Sequence, residues 1–156
     1  MKKITKELIG EVSASAKESG RKRMNHNFHE KYSDPINRMI NAVEPDAYFP
    51  PHKHESPAKR EIFLILKGKV AVVEFDDAGG VLDHITLDAM RGNFGVEISS
   101  GVWHSIIPLE EGSVLYEIKD GPYDPSKDKI FPKWAPSEGD EGAKEFVDKV
   151  LSAFQV

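Results

Sequence analysis

A chain of 156 residues with a net charge of −5, in which charged residues of both signs make up 30%, has the length of one domain with a real core and lacks the basic footprint of a nucleic-acid binder. The complete lack of cysteine removes disulfides, thiolate ligands and thiol nucleophiles together, and fits a cytoplasmic location. Two lysines open the N-terminus, but Glu7, Glu11, Lys17 and Glu18 interrupt any apolar run, so neither a signal peptide nor a membrane span is expected.

Ile4, Leu8, Val12 and Ala16 recur every fourth residue, which predicts a helix over about 5–19 with Thr5 as N-cap and Gly20 as the left-handed residue that ends it. The basic stretch Arg21–Arg23 follows, then the polar cluster Asn25-His26-Asn27-Phe28-His29. From about 36 to 120 the chain reads as short strands: Ile36–Val43, Tyr48–His54, Ile62–Leu66, Val70–Phe75, Val81–Leu87, Phe94–Ile98, Trp103–Pro108 and Ser113–Lys119. Turn signals between them, such as Lys67-Gly68-Lys69 and Asp76–Gly80, fall at the spacing of a β-sandwich or barrel. Residues 121–137 are rich in proline and aromatics, and Ala143, Phe146, Val147, Val150, Leu151 and Phe154 place one apolar face on a helix over about 140–154. Residues 1–156 read as a single domain.

The most informative spacing lies inside the β region. His52 and His54, two apart on an extended segment, project from one face. Glu61 on the next strand and His104 on a later one can converge with them. Three imidazoles and a carboxylate suit one divalent transition metal: Fe, Mn, Zn, Ni or Co. Glu55 is the competing carboxylate, but it lies in the Glu55-Ser56-Pro57 loop, whereas Glu61 opens an apolar strand where an unpaired charge would be costly. Four protein ligands leave positions open on such an ion, as a catalytic metal requires.

His52-x-His54, Glu61 and Gly68, followed by Gly92 through Gly101-Val102-Trp103-His104, resemble the two signatures of the cupin superfamily. The gap from histidine to glutamate is longer here, Asp46 stands in place of a glycine, Ser99 of a proline and Pro108 of an asparagine. These positions shape turns rather than bind metal. Arg23–His29, Pro51–His54, Gly101–His104 and Lys119–Pro125 further resemble the WbuC group of cupin-fold metalloproteins, bacterial proteins tied to surface-polysaccharide gene clusters. That resemblance spans about residues 20–136. It implies an all-β, cupin-like double-stranded β-helix (jelly-roll) barrel flanked by N- and C-terminal helices, together with a metal and a sugar connection.

Around the metal, Asn25, Asn27 and His29 are candidate ligand contacts at the barrel mouth, and Arg38 is a fourth if it faces inward with Ile40 and Ala42. Glu117 and Lys119 share a face of the last strand and are candidate catalytic groups, with Tyr123 as a lid. His84 should face solvent, Trp103 should pack away from the metal, and Lys59-Arg60 reads as a solvated pair. If Glu61 points inward, Ile62, Leu64 and Leu66 point outward in a row too apolar for water, which a terminal helix or a second copy must cover. A homodimer is therefore expected. The ligand expected is a small anionic or sugar-like molecule. Three functions compete: a metal-dependent isomerase or epimerase on a sugar or sugar-nucleotide precursor, a non-haem iron dioxygenase, and a non-catalytic binding or sensing module.

Overall fold

Residues 1–154 are described in a computed structural model. Helix α1 (Lys6–Glu18) precedes strands β1 (Arg23–Asn27), β2 (Ile36–Val43), β3 (Glu61–Lys67), β4 (Val70–Phe75), β5 (Val81–Leu87), β6 (Gly95–Ile98), β7 (Trp103–Pro108) and β8 (Ser113–Asp120), and helix α2 (Ala143–Ser152) closes the chain. The strands pair antiparallel in two sheets, one of five in the order β1-β2-β8-β3-β6 and one of three in the order β5-β4-β7. This is the jelly-roll architecture expected, with a helix on each side.

Side-chain alternation sorts the apolar residues into three layers. Val43, Phe63, Ile65, Val72, Ile106 and Leu115 fill the space between the sheets. On the outside of the five-stranded sheet, Val12 and Ala16 of α1 bury Ile40, Ala42 and Val114. On the outside of the three-stranded sheet, Val150, Phe154, Phe146 and Trp134 cover Ala71, Val73 and Phe75. Strand β4 is thus covered on both faces, which is why it reads as a nearly unbroken apolar run.

The inner rows of the large sheet change character along their length. On β8 the inward residues run Leu115, Glu117, Lys119, and on β3 they run Ile65, Phe63, Glu61. Register sets Glu61 opposite Lys119 and Phe63 opposite Glu117. On the other side of β8, Asn37 lies opposite Lys119 and Met39 opposite Glu117. One end of the barrel is therefore oil and the other is polar.

Four local expectations are corrected. Gly20 does not take a left-handed conformation; Lys22 does, at φ 55°, after the helix ends on extended Ser19. Tyr48–His54 is extended but forms no ladder strand, because Pro50 and Pro51 have no N–H to give; only His52, bridging His104, and Lys53, bridging Ile130, pair. Arg23–Asn27, which spans the end of the basic stretch and the start of the polar cluster where no strand is expected, is an edge strand on β2. Lys59 is not solvated: it is 2% exposed, and its ammonium lies 2.7 Å from Asp128. His84 is exposed as expected and stacks on Phe154.

Candidate metal centre

His52, His54, Glu61 and His104 meet at the polar end of the barrel, all four buried, with one donor atom from each lying within 4.8 Å of the others. Donors held at about 2.0–2.2 Å from one ion span roughly this distance. Local structure aims each of them. Glu61 is the first residue of β3, and His104 is the second of β7. His52 is tied to His104 by two backbone hydrogen bonds of 3.0 and 2.9 Å. The turn before β7 uses Gly101 at φ 80°, and its N–H donates to the His54 carbonyl at 2.9 Å while Ser100 Oγ donates to the same oxygen at 2.8 Å. One turn thereby fixes the approach of two ligands.

Hydrogen bonds also settle which imidazole nitrogen faces the centre. His52 Nδ1 contacts Pro50 O at 3.0 Å, His104 Nδ1 contacts Val102 O at 2.9 Å, and His54 Nδ1 contacts Asp128 O. A carbonyl oxygen only accepts, so each Nδ1 carries the hydrogen and each Nε2 is left to ligate. His104 Nε2 lies 2.8 Å from Glu61 Oε2, and His54 Nε2 lies 3.0 Å from Oε1 without hydrogen-bond alignment. His52 Nε2 is buried with no hydrogen-bond partner among the described residues. Lone-pair atoms gathered around one point, one of them orphaned, fit a divalent cation.

Electrostatics agree with that reading. Burial pushes the Glu61 carboxyl up, but the His104 and His54 imidazoles and the Lys119 ammonium outweigh it and hold it well below the carboxylate range. Burial, with the charge of Lys129 and the neighbouring His104 adding to it, holds His52 well below the usual imidazole value. A carboxylate that stays ionised beside an imidazole that stays neutral is the protonation state metal ligation needs.

Above the cluster opens a cavity of about 500 Å³. Glu117 and Lys119 both line it, as does Tyr123, whose ring lies 5.6 Å from the Lys119 ammonium. Glu117 accepts a short hydrogen bond from Asn41 Nδ2. Burial and the charge of Glu61 raise its pKa, against the pull of Lys119, Lys129 and Asn41. Lys119 is anchored instead, 2.7 Å from Asp128 Oδ2 and 3.5 Å from Glu61 Oε1. Burial lowers its pKa, but Glu61, Glu117 and Asp128 together raise it above the ordinary lysine value, which makes it a fixed cation.

The other site candidates divide. Asn25, Asn27 and His29 line the cavity. Asn25 Nδ2 donates to Asn27 Oδ1 at 2.9 Å, and His29 Nδ1 accepts from the Arg38 N–H at 3.2 Å. Arg38 itself does not reach the cavity. Ile40 and Ala42, which share its face, are buried beneath α1 rather than in the barrel, and its guanidinium lies 3.9 Å from Asp34. The inward face of β2 belongs to Asn37, Met39 and Asn41. Glu55 is exposed, 3.1 Å from Lys53. Sequence reasoning missed Asn37, Asn41, Asp128 and Lys129, which all line the cavity. An inward polar residue on β2 was the one available signal, and it was assigned to the wrong face.

With this geometry in place, the chain can be set beside known proteins. None of the curated proteins matches it. Among solved structures it is similar to the capsular polysaccharide assembling protein CapF from Staphylococcus aureus, at 21% identity over 73% of this chain and 30% of that one, with a TM-score of 0.61. It is also similar to L-ribose isomerase from Geodermatophilus obscurus, at 12% identity over 72% of this chain and 70% of that one, with a TM-score of 0.58. The L-ribose isomerase of Cellulomonas parahominis gives 14% identity, 70% and 68% coverage, and a TM-score of 0.56. The chain spans less than a third of CapF. These likenesses, with the two sheets and flanking helices, show a cupin-like fold. Residues 4–87 match the family model described as Domain of unknown function (DUF6016), and the chain belongs to that family.

Proposed function

We propose that this protein is a metal-dependent isomerase or epimerase of the WbuC type, acting on a sugar or sugar-nucleotide precursor of surface polysaccharide. The observation that carries the reading is the convergence of His52, His54, Glu61 and His104 at the floor of a cavity whose wall presents Glu117. Those four residues would hold a divalent first-row metal, which would supply a Lewis acid to polarise a carbonyl or hydroxyl oxygen. Glu117 takes the proton from the hydroxyl-bearing carbon α to the carbonyl and delivers it to the carbonyl carbon, while the proton of that hydroxyl passes to the carbonyl oxygen, which completes an isomerisation. In an epimerisation the α-carbon instead regains a proton from a second acid on its opposite face. The raised pKa of Glu117 favours both halves of its task, and Asn41 orients its carboxylate. Lys119 keeps Glu61 ionised and in place, and Tyr123 closes the cavity over it. Two structural neighbours, a capsular polysaccharide assembling protein and an L-ribose isomerase, support a sugar substrate.

Metal content of the untagged protein, measured by mass spectrometry, tests the first half. About one equivalent of a first-row metal is expected, and it should be lost in the double variant His52→Ala/His104→Ala. Sugar turnover tests the second half. Glu117→Gln should retain the metal and lose about 10²–10⁴-fold in rate. Metal-loaded protein that is inert across an aldose and ketose panel but is stabilised by a sugar would instead be a binding module. Fe(II) loading with O₂ uptake would make it a dioxygenase.

We infer further that the chain works as a homodimer, joined through the outer faces of β3 and β6, where Leu64 and Phe94 remain exposed.

A further inference from the structure

The cavity holds two groups whose chemistry the metal does not explain. The first is Asn37. It lies on the inner row of β2, across the ladder from Lys119, which in turn lies across from Glu61. The residue is 1% exposed and lines the cavity, yet among the described residues neither its amide nitrogen nor its amide oxygen has a hydrogen-bond partner. Gly121 packs against it: a Cβ there would stand 2.9 Å from Asn37 Nδ2 and closer still to the Asp34 carbonyl oxygen. Buried amides are almost always paired, and an orphaned one beside an open cavity points to a partner that arrives from outside. A carboxamide offers a donor and an acceptor side by side, which a hydroxyl group matches.

The second is Lys129. Its neighbours fix its direction: Asp128 turns into the protein, its carboxylate 2.7 Å from both Lys59 and Lys119, while Ile130 pairs through its backbone with Lys53. Lys129 lines the metal cavity and an adjoining cavity of about 540 Å³ that shares His52 and Tyr123 with it. The residue as a whole is exposed, but enough protein surrounds its ammonium for burial to lower its pKa, against the opposing pull of Glu61. The other cations of the cavity are engaged. Lys119 is held by Asp128 and Glu61, and Glu138 holds both Arg21 and Arg23. Among the described residues Lys129 has no carboxylate within 4.0 Å. It is the positive charge left over.

We propose that the cavity takes an anionic polyol, a sugar bearing a carboxylate or a phosphate, with Asn37 pairing a ligand hydroxyl and Lys129 pairing the anionic group. The proposal rests on the reading of this cavity as the small-molecule site, and it names the class of ligand and two residues that select it. A ligand of this kind lies across the metal centre, its hydroxyl end toward β2 and its charged end at the junction of the two cavities. It supplies the one hydrogen-bonding group that Asn37 lacks and the one counter-charge that Lys129 lacks.

Isothermal titration of the full-length, metal-loaded protein tests this with four probes: D-ribonate, D-ribose 5-phosphate, neutral ribitol and inorganic phosphate. At least one of the two anionic polyols is expected to bind about tenfold or more tightly than ribitol, and the tighter of the two identifies the anionic group as carboxylate or phosphate. Lys129→Met should remove that preference and leave ribitol binding unchanged. Asn37→Leu should weaken the anionic polyol and ribitol by a similar factor, about tenfold, without changing the affinity for inorganic phosphate. Asn37→Ser, with thermal melts of each variant, separates lost recognition from lost folding. The inference is overturned if neither anionic polyol binds above ribitol, if Lys129→Met keeps the preference, or if both folded Asn37 variants bind every probe as wild type does. Binding without turnover would sink the isomerase and leave this inference standing, while turnover of neutral sugars with no anion preference would do the reverse.

Discussion

The carboxylate of Asp128 holds two ammonium groups at once, Lys59 and Lys119, each at 2.7 Å, with all three side chains at most 5% exposed. Its backbone oxygen accepts from His54 Nδ1, so a single residue braces a metal ligand from one side and the cation beside Glu61 from the other. Removing one partner of a buried charge cluster leaves the rest unpaired, which typically costs about 3–5 kcal/mol. Asp128→Asn should therefore lower stability by about that amount at pH 7 in urea unfolding, and weaken metal affinity about 10–100-fold. The pH dependence has a definite sign. Burial pushes the Asp128 carboxyl up, but Lys119, Lys59 and His54 outweigh it and set the pKa below its ordinary value. The unfolded chain thus binds this proton first as pH falls, so the stabilisation is complete above the unfolded value of about 3.9 and drains away as pH falls through the folded one. The gap between wild type and variant should close below about pH 4. A gap under about 1 kcal/mol at neutral pH would show the cluster to be no better than a surface pair.

Among the elements, the turn from Ser99 to His104 does most for the site. Gly101 sits at φ 80°, where an L side chain is strained by about 1–2 kcal/mol, and its N–H holds the His54 carbonyl. Gly92 is left-handed too, at φ 85° with open space around it, and lies after β5 away from the metal. Gly101→Ala and Gly92→Ala should then cost similar stability. Only the first should weaken metal affinity, by about tenfold in a competitive chelator titration; equal effects on the metal would deny the turn its positioning role. Contrasts of this kind also explain what was legible in the sequence. Strands β2, β4, β5 and β7 were read to the residue, because alternating or continuous apolar runs report a buried face directly. The four ligands were legible because each sits at a fixed offset on a regular or extended segment. Strand β1 was not, since its inner face meets a cavity rather than oil and carries Arg23, Asn25 and Asn27 in place of an apolar row. Arg38 was turned the wrong way because Ile40 and Ala42 are buried against α1, and alternation cannot say which of two covered faces is the barrel interior. Lys59 and Asp128 are 69 residues apart, a pairing with no local signal.

At the scale of the whole molecule, coverage of the outer faces is uneven. The three-stranded sheet is roofed by α2 and the segment around Trp134. On the five-stranded sheet α1 covers β1, β2 and the near part of β8, and stops short of β3 and β6. Leu64 is 38% exposed, Leu66 37%, Phe94 63% and Met90 94%, with Ile62 and Ile118 half-buried beside them. Among the described residues the helices pack on other faces, and the homodimer proposed above would cover this strip. Exposed Arg60 and Glu97 put charges of both signs near it, and a two-fold contact can set one against the other across the axis. A contact of this type must bury about 800 Å² from each copy to be stable, so one charge at its centre should break it. Light scattering at micromolar concentration should give twice the 17.4 kDa chain mass for wild type and the single mass for Leu64→Glu. Metal content should be equal in the two, since Leu64 points away from the barrel while Phe63 and Ile65 point in. Loss of metal together with dimer would tie the site to the contact. A wild-type mass of one chain would leave the strip bare in solution and remove the homodimer.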